Sequence, residues 1–294
     1  MVVKTDFSRK LFIIANYAFL LAISLLCLLP LIHILAISLS SSSVADAGLV
    51  KLWPVKFNVS AYEYVLQNKQ FLHSLFISVK RVLLGTSLNM LLTIMAAYPL
   101  SKEVSAFKMR TVYVWLFFLT ILFGGGLIPT YMVVQSTGLI DSIWALVIPG
   151  AVPVFSVILM LNFYRNLPKE LEESAFIDGA SHYTILWKIF VPLSVPAIAT
   201  LTLFSIVSHW NAWFDGIIYM NSFDKYPLQS YLQKAVIQKD PSSLSSIDQK
   251  LLKEISSKTM SAAQLFLGAL PILLVYPFLQ RFFISGIALG SVKG

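Results

Sequence analysis

Charge is scarce in this sequence. Only 12% of its 294 residues are Asp, Glu, Lys or Arg, about half the share in an ordinary soluble domain, while 57% are hydrophobic. So little charge cannot cover so much apolar surface in water, and lipid must take the surplus. Cysteine is nearly absent. Cys27 stands alone in an apolar run, which excludes an intramolecular disulfide framework and a Cys-x-x-Cys metal site and leaves it a packing role. Three further features are missing: a phosphate-binding GxxxxGK[ST] loop, a His/Glu metal spacing, and a chain of carboxylates inside an apolar run. Their absence argues against nucleotide hydrolysis, membrane-embedded metalloprotease chemistry and a proton-driven carrier. No catalytic residue, metal ligand or bound cofactor is nominated.

What is present is a series of long apolar stretches. A helix crossing the hydrocarbon core needs about 20 mostly apolar residues. Six stretches qualify: about 12 to 39, 72 to 100, 111 to 134, 142 to 164, 190 to 210 and 261 to 284. They lack the two-residue alternation of barrel strands, and backbone polar groups in lipid must be satisfied internally. The expected fold class is therefore all-α, a polytopic membrane protein with six transmembrane helices. Lys4, Arg9 and Lys10 precede the first stretch, which is too long for a signal-peptide core and reads as an uncleaved anchor.

The net charge of +8 raises nucleic-acid binding, but the basic residues are scattered between apolar runs and form no basic face. They read as topology. Lys4, Arg9 and Lys10, then Lys102, Lys108 and Arg110, then Arg165, Lys169 and Lys188, and finally Arg281 and Lys293 mark one side as cytoplasmic, both termini included. The loop 135–141 has no basic residue and lies outside. The segment 211–260 also falls outside despite its six lysines, because longer loops translocate with little regard to charge. Its serines and mixed charges, Asp215, Asp224, Asp240, Asp248 and Glu254 among them, suit a solvated lobe.

Several stretches are interrupted. Gly124, Gly125, Gly126 and Pro129 fall in the third, Pro149 and Pro153 in the fourth, and Pro192 and Pro196 open the fifth. Two readings of the glycine triplet stay open: close helix packing, or broken backbone at a cavity or hinge. Ionisable residues inside spans are few. Lys80 and Arg81 point about 100° apart on a helix, so they cannot serve one ligand equally. Arg81 faces either a cavity or a structural partner. His33 and His209 are isolated and read as packing residues.

The most informative segment is the loop at about 165–190. Asn166 offers a cap, Pro168 suits a first turn, and Glu170, Glu172 and Glu173 put negative charge at the positive end of the helix dipole. Gly179 lets the chain turn, and Ser181 caps a second helix. Ser174, Ala175 and Gly179 are small enough to admit another protein's backbone, and the carboxylates and Phe176 could anchor it. From the residues alone, an amphipathic connector and a docking element fit equally well.

Glu173-Ser-Ala175, three residues, Gly179, nine residues, then Ile189-Phe-Val-Pro192 resembles the EAA loop of importer permeases: EAA, three residues, G, nine residues, I, one residue, LP. Ser174 and Val191 depart from it by mild changes in size. The similarity runs from about Phe71 to the end, through Ala97-Tyr-Pro-Leu-Ser-Lys102, Ile128-Pro-Thr-Tyr131, Pro192-Leu-Ser-Val-Pro196, Trp210-Asn-Ala-Trp213 and Val292-Lys-Gly294. It is the likeness of bacterial binding-protein-dependent sugar ABC importer permeases, specifically the maltose-type second permease and its complex-oligosaccharide branch (alginate- or pectin-like substrates). That resemblance implies a type I importer permease core over 71–294, preceded by a helix and external segment over 1–70. It implies a coupling helix with Glu172, Glu173, Ser174, Ala175, Phe176, Asp178, Gly179 and Pro192 at the ATPase contact. Its implied partners are a second permease in a heterodimer, two ATPase subunits holding the ATP and Mg, and an extracytoplasmic substrate-binding protein, at the bacterial inner membrane. A standalone ion-driven carrier is the alternative.

For the substrate path, Trp210, Asn211 and Trp213 combine aromatic faces with an amide, the pairing that sugars favour, although an interfacial aromatic belt explains the tryptophans equally. Tyr131 and Arg81 are further candidates. The basic balance favours an acidic oligosaccharide.

Overall fold

The computed structural model describes residues 7–237 and 256–291, with side chains over 8–236 and 256–277. Lys4, Lys293, the terminal 292–294 and the serine-rich part of the external segment, with Asp240, Asp248 and Glu254, lie outside the described residues, as does the Arg281 side chain. Among the described residues the chain is helical and has one isolated bridge, Ser40 to Phe57. In chain order the main helices are α1 (Phe7–Ser38), α2 (Lys69–Ser101), α3 (Arg110–Leu122), α4 (Leu127–Ser136), α5 (Val154–Arg165), α6 (Glu170–Ile177), α7 (His182–Leu193, with a π-helical turn at Leu186–Phe190), α8 (Val195–Asn211), α9 (Phe214–Tyr219) and α10 (Ser257–Ser291).

Two compact units emerge, Met1–Phe71 with Lys234–Leu270, and Leu72–Gln233 with Pro271–Gly294. In the first, α1 is apolar all round and exposed along most of its length, the pattern of a helix whose solvent is lipid. Cys27 is exposed on it, not packed. Only its C-terminal end is buried: Ala36 and Ile37 pack with Val44, Ala45, Val50 and Ala262, and the Ser38 hydroxyl meets the Tyr62 hydroxyl at 2.6 Å.

The second unit is built on α2. Met90, Ile94, Ala97 and Tyr98 form a stripe at helical spacing that buries against Val157, Met160, Leu161 and Tyr164 of α5, Ile185, Leu186 and Phe190 of α7, and Leu201 of α8. Phe190 stands edge-on to both Tyr98 and Tyr164, with ring centroids 5.1 and 5.2 Å apart, a favourable aromatic geometry.

Three helices are long and apolar enough to cross a membrane, Ser8–Ser38, Lys69–Ser101 and Ser257–Pro277. The pairs α3–α4 and α7–α8, bent by 116° and 82°, bring the count to five if each pair is one span. The expected sixth, 142–164, is where the structure departs from the sequence reading. Pro149, Gly150 and Pro153 break it, leaving a 3₁₀ turn at Ile143–Leu146 and the twelve-residue α5. At 1.5 Å per residue α5 is about 18 Å long, short of a ~30 Å hydrocarbon core. The glycine triplet is a bend: Gly126 has φ +83°, and a Cβ at Gly124 or Gly126 would meet nothing within 4 Å. Close helix packing is thus not its reason among the described residues. The fifth stretch breaks at Ser194, two residues beyond Pro192, which sits in the last turn of α7 and not at the start of the spanning helix.

Candidate functional site: a capped surface helix and an intramembrane polar cluster

At the Ser101 end of α2 stands α6. Its first turn carries Glu170, Glu172 and Glu173, and its N-cap is Lys169, with no side-chain cap bond. Asn166 instead closes α5, donating from Nδ2 to the Asn162 carbonyl at 3.0 Å. The C-terminus is closed by a Schellman motif. The Ala180 amide donates to the Ala175 carbonyl at 2.9 Å and the Gly179 amide to the Phe176 carbonyl at 3.0 Å, while Gly179 sits at φ +78°, a backbone region that side chains disfavour. Ser181 caps α7 as expected, its hydroxyl accepting from the Thr184 amide at 3.3 Å. The glycine of the loop pattern is therefore the residue that turns α6 into α7.

Glu173, Ser174, Phe176, Asp178 and Gly179 are exposed, whereas Glu172 and Ala175 turn partly inward. Ala175 packs against the core of the unit. Glu172 accepts from Lys102 Nζ at 2.6 Å, and that ammonium lies 3.8 Å from the Tyr98 ring centre and 4.3 Å from that of Phe190. Burial pushes the Lys102 pKa down, and its bond to Glu172 opposes that shift. Tyr98 also reaches His182 Nδ1 at 3.1 Å, and Phe176 packs edge-on to His182 at 4.9 Å. Outside this knot, Lys169 and Glu103 form an exposed pair in which the Lys102–Arg110 loop meets the start of α6; each raises or lowers the other's pKa toward the charged form. The side chains surround a cavity of about 740 Å³ lined by Lys102, Arg110, Lys169, Glu172 and Phe176 among others.

Lys102 and His182 were not nominated from the sequence. They lie 70 and 10 residues from Glu172 and Glu172's helix has no periodic signal reaching them, though a basic residue just past a span beside an acidic surface helix was a usable hint. Because both partners are mostly buried, the Lys102–Glu172 bond has more weight than an exposed pair. In a double-mutant cycle of Lys102→Met and Glu172→Gln, thermal unfolding should give a coupling energy of about 1–2 kcal/mol. Additive effects would show that α6 is not tied to α2 through this pair.

Twenty residues before Ser101 on α2, Arg81 is 2% exposed and makes a two-pronged ion pair with Asp215 of α9, Nη1 donating to Oδ1 at 3.0 Å and Nη2 to Oδ2. Nη1 also donates to the Ala212 carbonyl at 3.2 Å, while Nε has no hydrogen-bond partner among the described residues. Two turns along α2, the buried Asn89 amide satisfies both of its ends in one orientation: its oxygen accepts from Ser205 Oγ and His209 Nε2 at 3.1 and 3.2 Å, and its nitrogen faces the carbonyls of Gly85, Gly150 and Ala151. This orientation makes His209 an Nε2–H donor. The broken backbone at Gly150 thus has a purpose, supplying carbonyls to a buried amide. Gly85 lets the His209 ring lie against α2, since a Cβ there would come within 2.8 Å of Cδ2.

These groups line a second cavity, of about 570 Å³, with Ser156, Ser208 and Tyr219. Of the residues named for a substrate path, Arg81 is in this lining. Tyr131 approaches it indirectly, stacked on Tyr219 at 6.2 Å. Asn211 and Trp213 are exposed outside it, and Trp210 is buried, so the Trp210–Asn211–Trp213 group presents no single face. Asp215 was assigned to a solvated lobe; here it neutralises Arg81. The missed signal was the rule that an arginine deep in a span needs an acidic partner, and Asp215 is the first carboxylate after α8. At the same end, Asp141, at φ +65°, joins the 137–142 loop to the 219–226 segment by accepting from the Asn221 amide and pairing with Lys225, which lowers its pKa.

Among the described residues, a helical chain with apolar spans, a capped surface helix at one end and a polar cavity fits a permease subunit, and comparison with known proteins agrees. The chain belongs to the binding-protein-dependent transport system inner membrane component family, whose profile matches residues 81–288. It is 40% identical over 292 residues to the polygalacturonan/rhamnogalacturonan transport system permease protein YtcP of Bacillus subtilis, covering 97% of this chain and 99% of that one. To Protein LplC of the same organism it is 38% identical, covering 97% and 96%. Among solved structures it resembles a bacterial ABC transporter involved in the import of the acidic polysaccharide alginate, at TM-score 0.87 and 32% identity, covering 95% of this chain and 98% of that one.

Proposed function

We propose that this chain forms half of the translocation pathway of an ATP-driven importer for an oligosaccharide, and that the oligosaccharide is acidic. The relatives that support the substrate class handle polygalacturonan/rhamnogalacturonan and alginate, polymers built with uronic acids. The observation that carries the coupling role is α6: an eight-residue helix, exposed on its outer face, sharply capped at Gly179 and bonded through Glu172 and Lys102 to a spanning helix. A partner ATPase closing on Glu173, Ser174, Phe176 and Asp178 would move α6, and the Lys102–Glu172 bond would pass that displacement to α2. ATP and Mg belong to two ATPase subunits. A second permease completes the pathway as a heterodimer, and an extracytoplasmic binding protein delivers substrate. Both termini and α6 are cytoplasmic, and the Asp141–Lys225 end is external, in line with the basic residues of the short loops.

The test is co-purification. A tagged chain drawn from its native membrane in mild detergent should bring down a second permease and two copies of a P-loop ATPase subunit. Recovery of the chain alone, from membranes that contain an assembled importer of the same operon, would overturn the proposal.

A further inference from the structure

Arg81 and Asp215 differ in one respect that bears on substrate. The Arg81 side chain is 3% exposed and the Asp215 side chain 29% exposed. The cation is fixed inside, held by Asp215 and the Ala212 carbonyl and carrying a spare Nε–H, whereas its carboxylate partner stands at the wet edge of the 570 Å³ cavity. Breaking a buried ion pair is costly because a charge is left without a partner. Exchanging one carboxylate for another avoids that cost at the arginine, and an anion near water is re-solvated when it lets go. Asp215 also keeps a bond from the Gly216 amide at 2.9 Å when the arginine leaves it.

We propose that Asp215 is a stand-in for a substrate carboxylate: the carboxylate of a uronic-acid residue displaces it from Arg81, taking the planar two-pronged geometry that guanidinium offers at Nη1 and Nη2. Ser156, Ser205 and Ser208 then face the hydroxyls of the same sugar ring. Without substrate the pair leaves the cavity neutral, so no free cation stands in the membrane. With substrate the carboxylate is matched, and a neutral sugar has nothing to offer Arg81 that Asp215 does not already provide. Selection for acidic sugars thus lies partly in this chain. This inference rests on the proposed acidic substrate.

The experiment measures equilibrium binding to the purified complex of both permeases and the ATPases, without binding protein, so that only the membrane site is read. The probes are a trigalacturonate and its carboxyl-reduced, neutral counterpart. Wild type should prefer the uronate. Asp215→Asn removes the competitor and should raise that preference roughly tenfold, the worth of one charge-assisted bond, while leaving affinity for the neutral probe unchanged. R81Q/D215N removes both charges at little cost to folding and should bind the two probes equally. Unchanged preference in either variant, or equal weakening of both probes by Asp215→Asn, would overturn the inference and make the pair structural. A complex that assembles and hydrolyses ATP but binds neither probe would overturn it too, leaving the ATPase-coupled reading in place. Should Asp215→Asn fail to assemble, the double variant still decides.

Discussion

Gly179→Val is expected to cut ATP-driven uptake at least tenfold while leaving the chain inserted and its spanning helices intact. Gly179 has φ +78°, and a Cβ at this position would meet nothing within 4 Å in this chain, so the cost is conformational. A left-handed backbone costs about 1–2 kcal/mol for an ordinary side chain and more for a β-branched one. Every 1.36 kcal/mol is a factor of ten. The α6 helix has no reserve to absorb this, being eight residues long, with no fully buried residue, and dependent on the two Schellman bonds at its end. Gly179→Asn separates the causes, since asparagine tolerates the left-handed region. It should retain most uptake in proteoliposomes. If it fails as completely as valine, the glycine is there to admit a partner's surface and the capping account is wrong.

The second large effect is expected at Gly85. Alanine there drives a methyl into the His209 ring, which is held by Asn89 and 7% exposed, so the ring cannot swing clear without breaking a buried bond. Overpacking together with an unsatisfied amide should destabilise the protein by about 2–4 kcal/mol. His209→Ala leaves Asn89 short of a donor and should destabilise it as well. The double variant is the informative one: with no ring to strike, the Gly85→Ala methyl fits, and the combined loss in thermal stability should fall short of the sum by at least about 1 kcal/mol. A strictly additive result would mean that the α2–α8 crossing is not set by this contact.

Local features were legible in the sequence and distant pairings were not. α1, α2 and α10 read as mostly apolar runs of spanning length, and the structure keeps them as long helices. The Ser181 cap and the acidic first turn of α6 also follow from residues a few positions apart. The stretch 142–164 reads as a span interrupted by Pro149 and Pro153, and in the structure these prolines break it. Their cost in lipid is met because Asn89, on another helix, engages the carbonyls of Gly150 and Ala151. Arg81 with Asp215 and Lys102 with Glu172 are separated by 134 and 70 residues, beyond the reach of any helical period. Asn166 shows the converse error. It is a good cap by type, yet it closes the helix behind it because Pro168 and Lys169 delay the start of α6.

In the proposed importer, an ATPase outside this chain moves it. ATP-driven uptake of a uronate oligosaccharide into proteoliposomes tests this most directly, with the chain reconstituted alone, with the second permease, and with both permeases, the ATPases and the binding protein. Uptake should appear only in the complete assembly with ATP and stay unchanged when proton and sodium gradients are collapsed. Uptake by this chain alone, driven by an ion gradient and indifferent to ATP, would contradict the account.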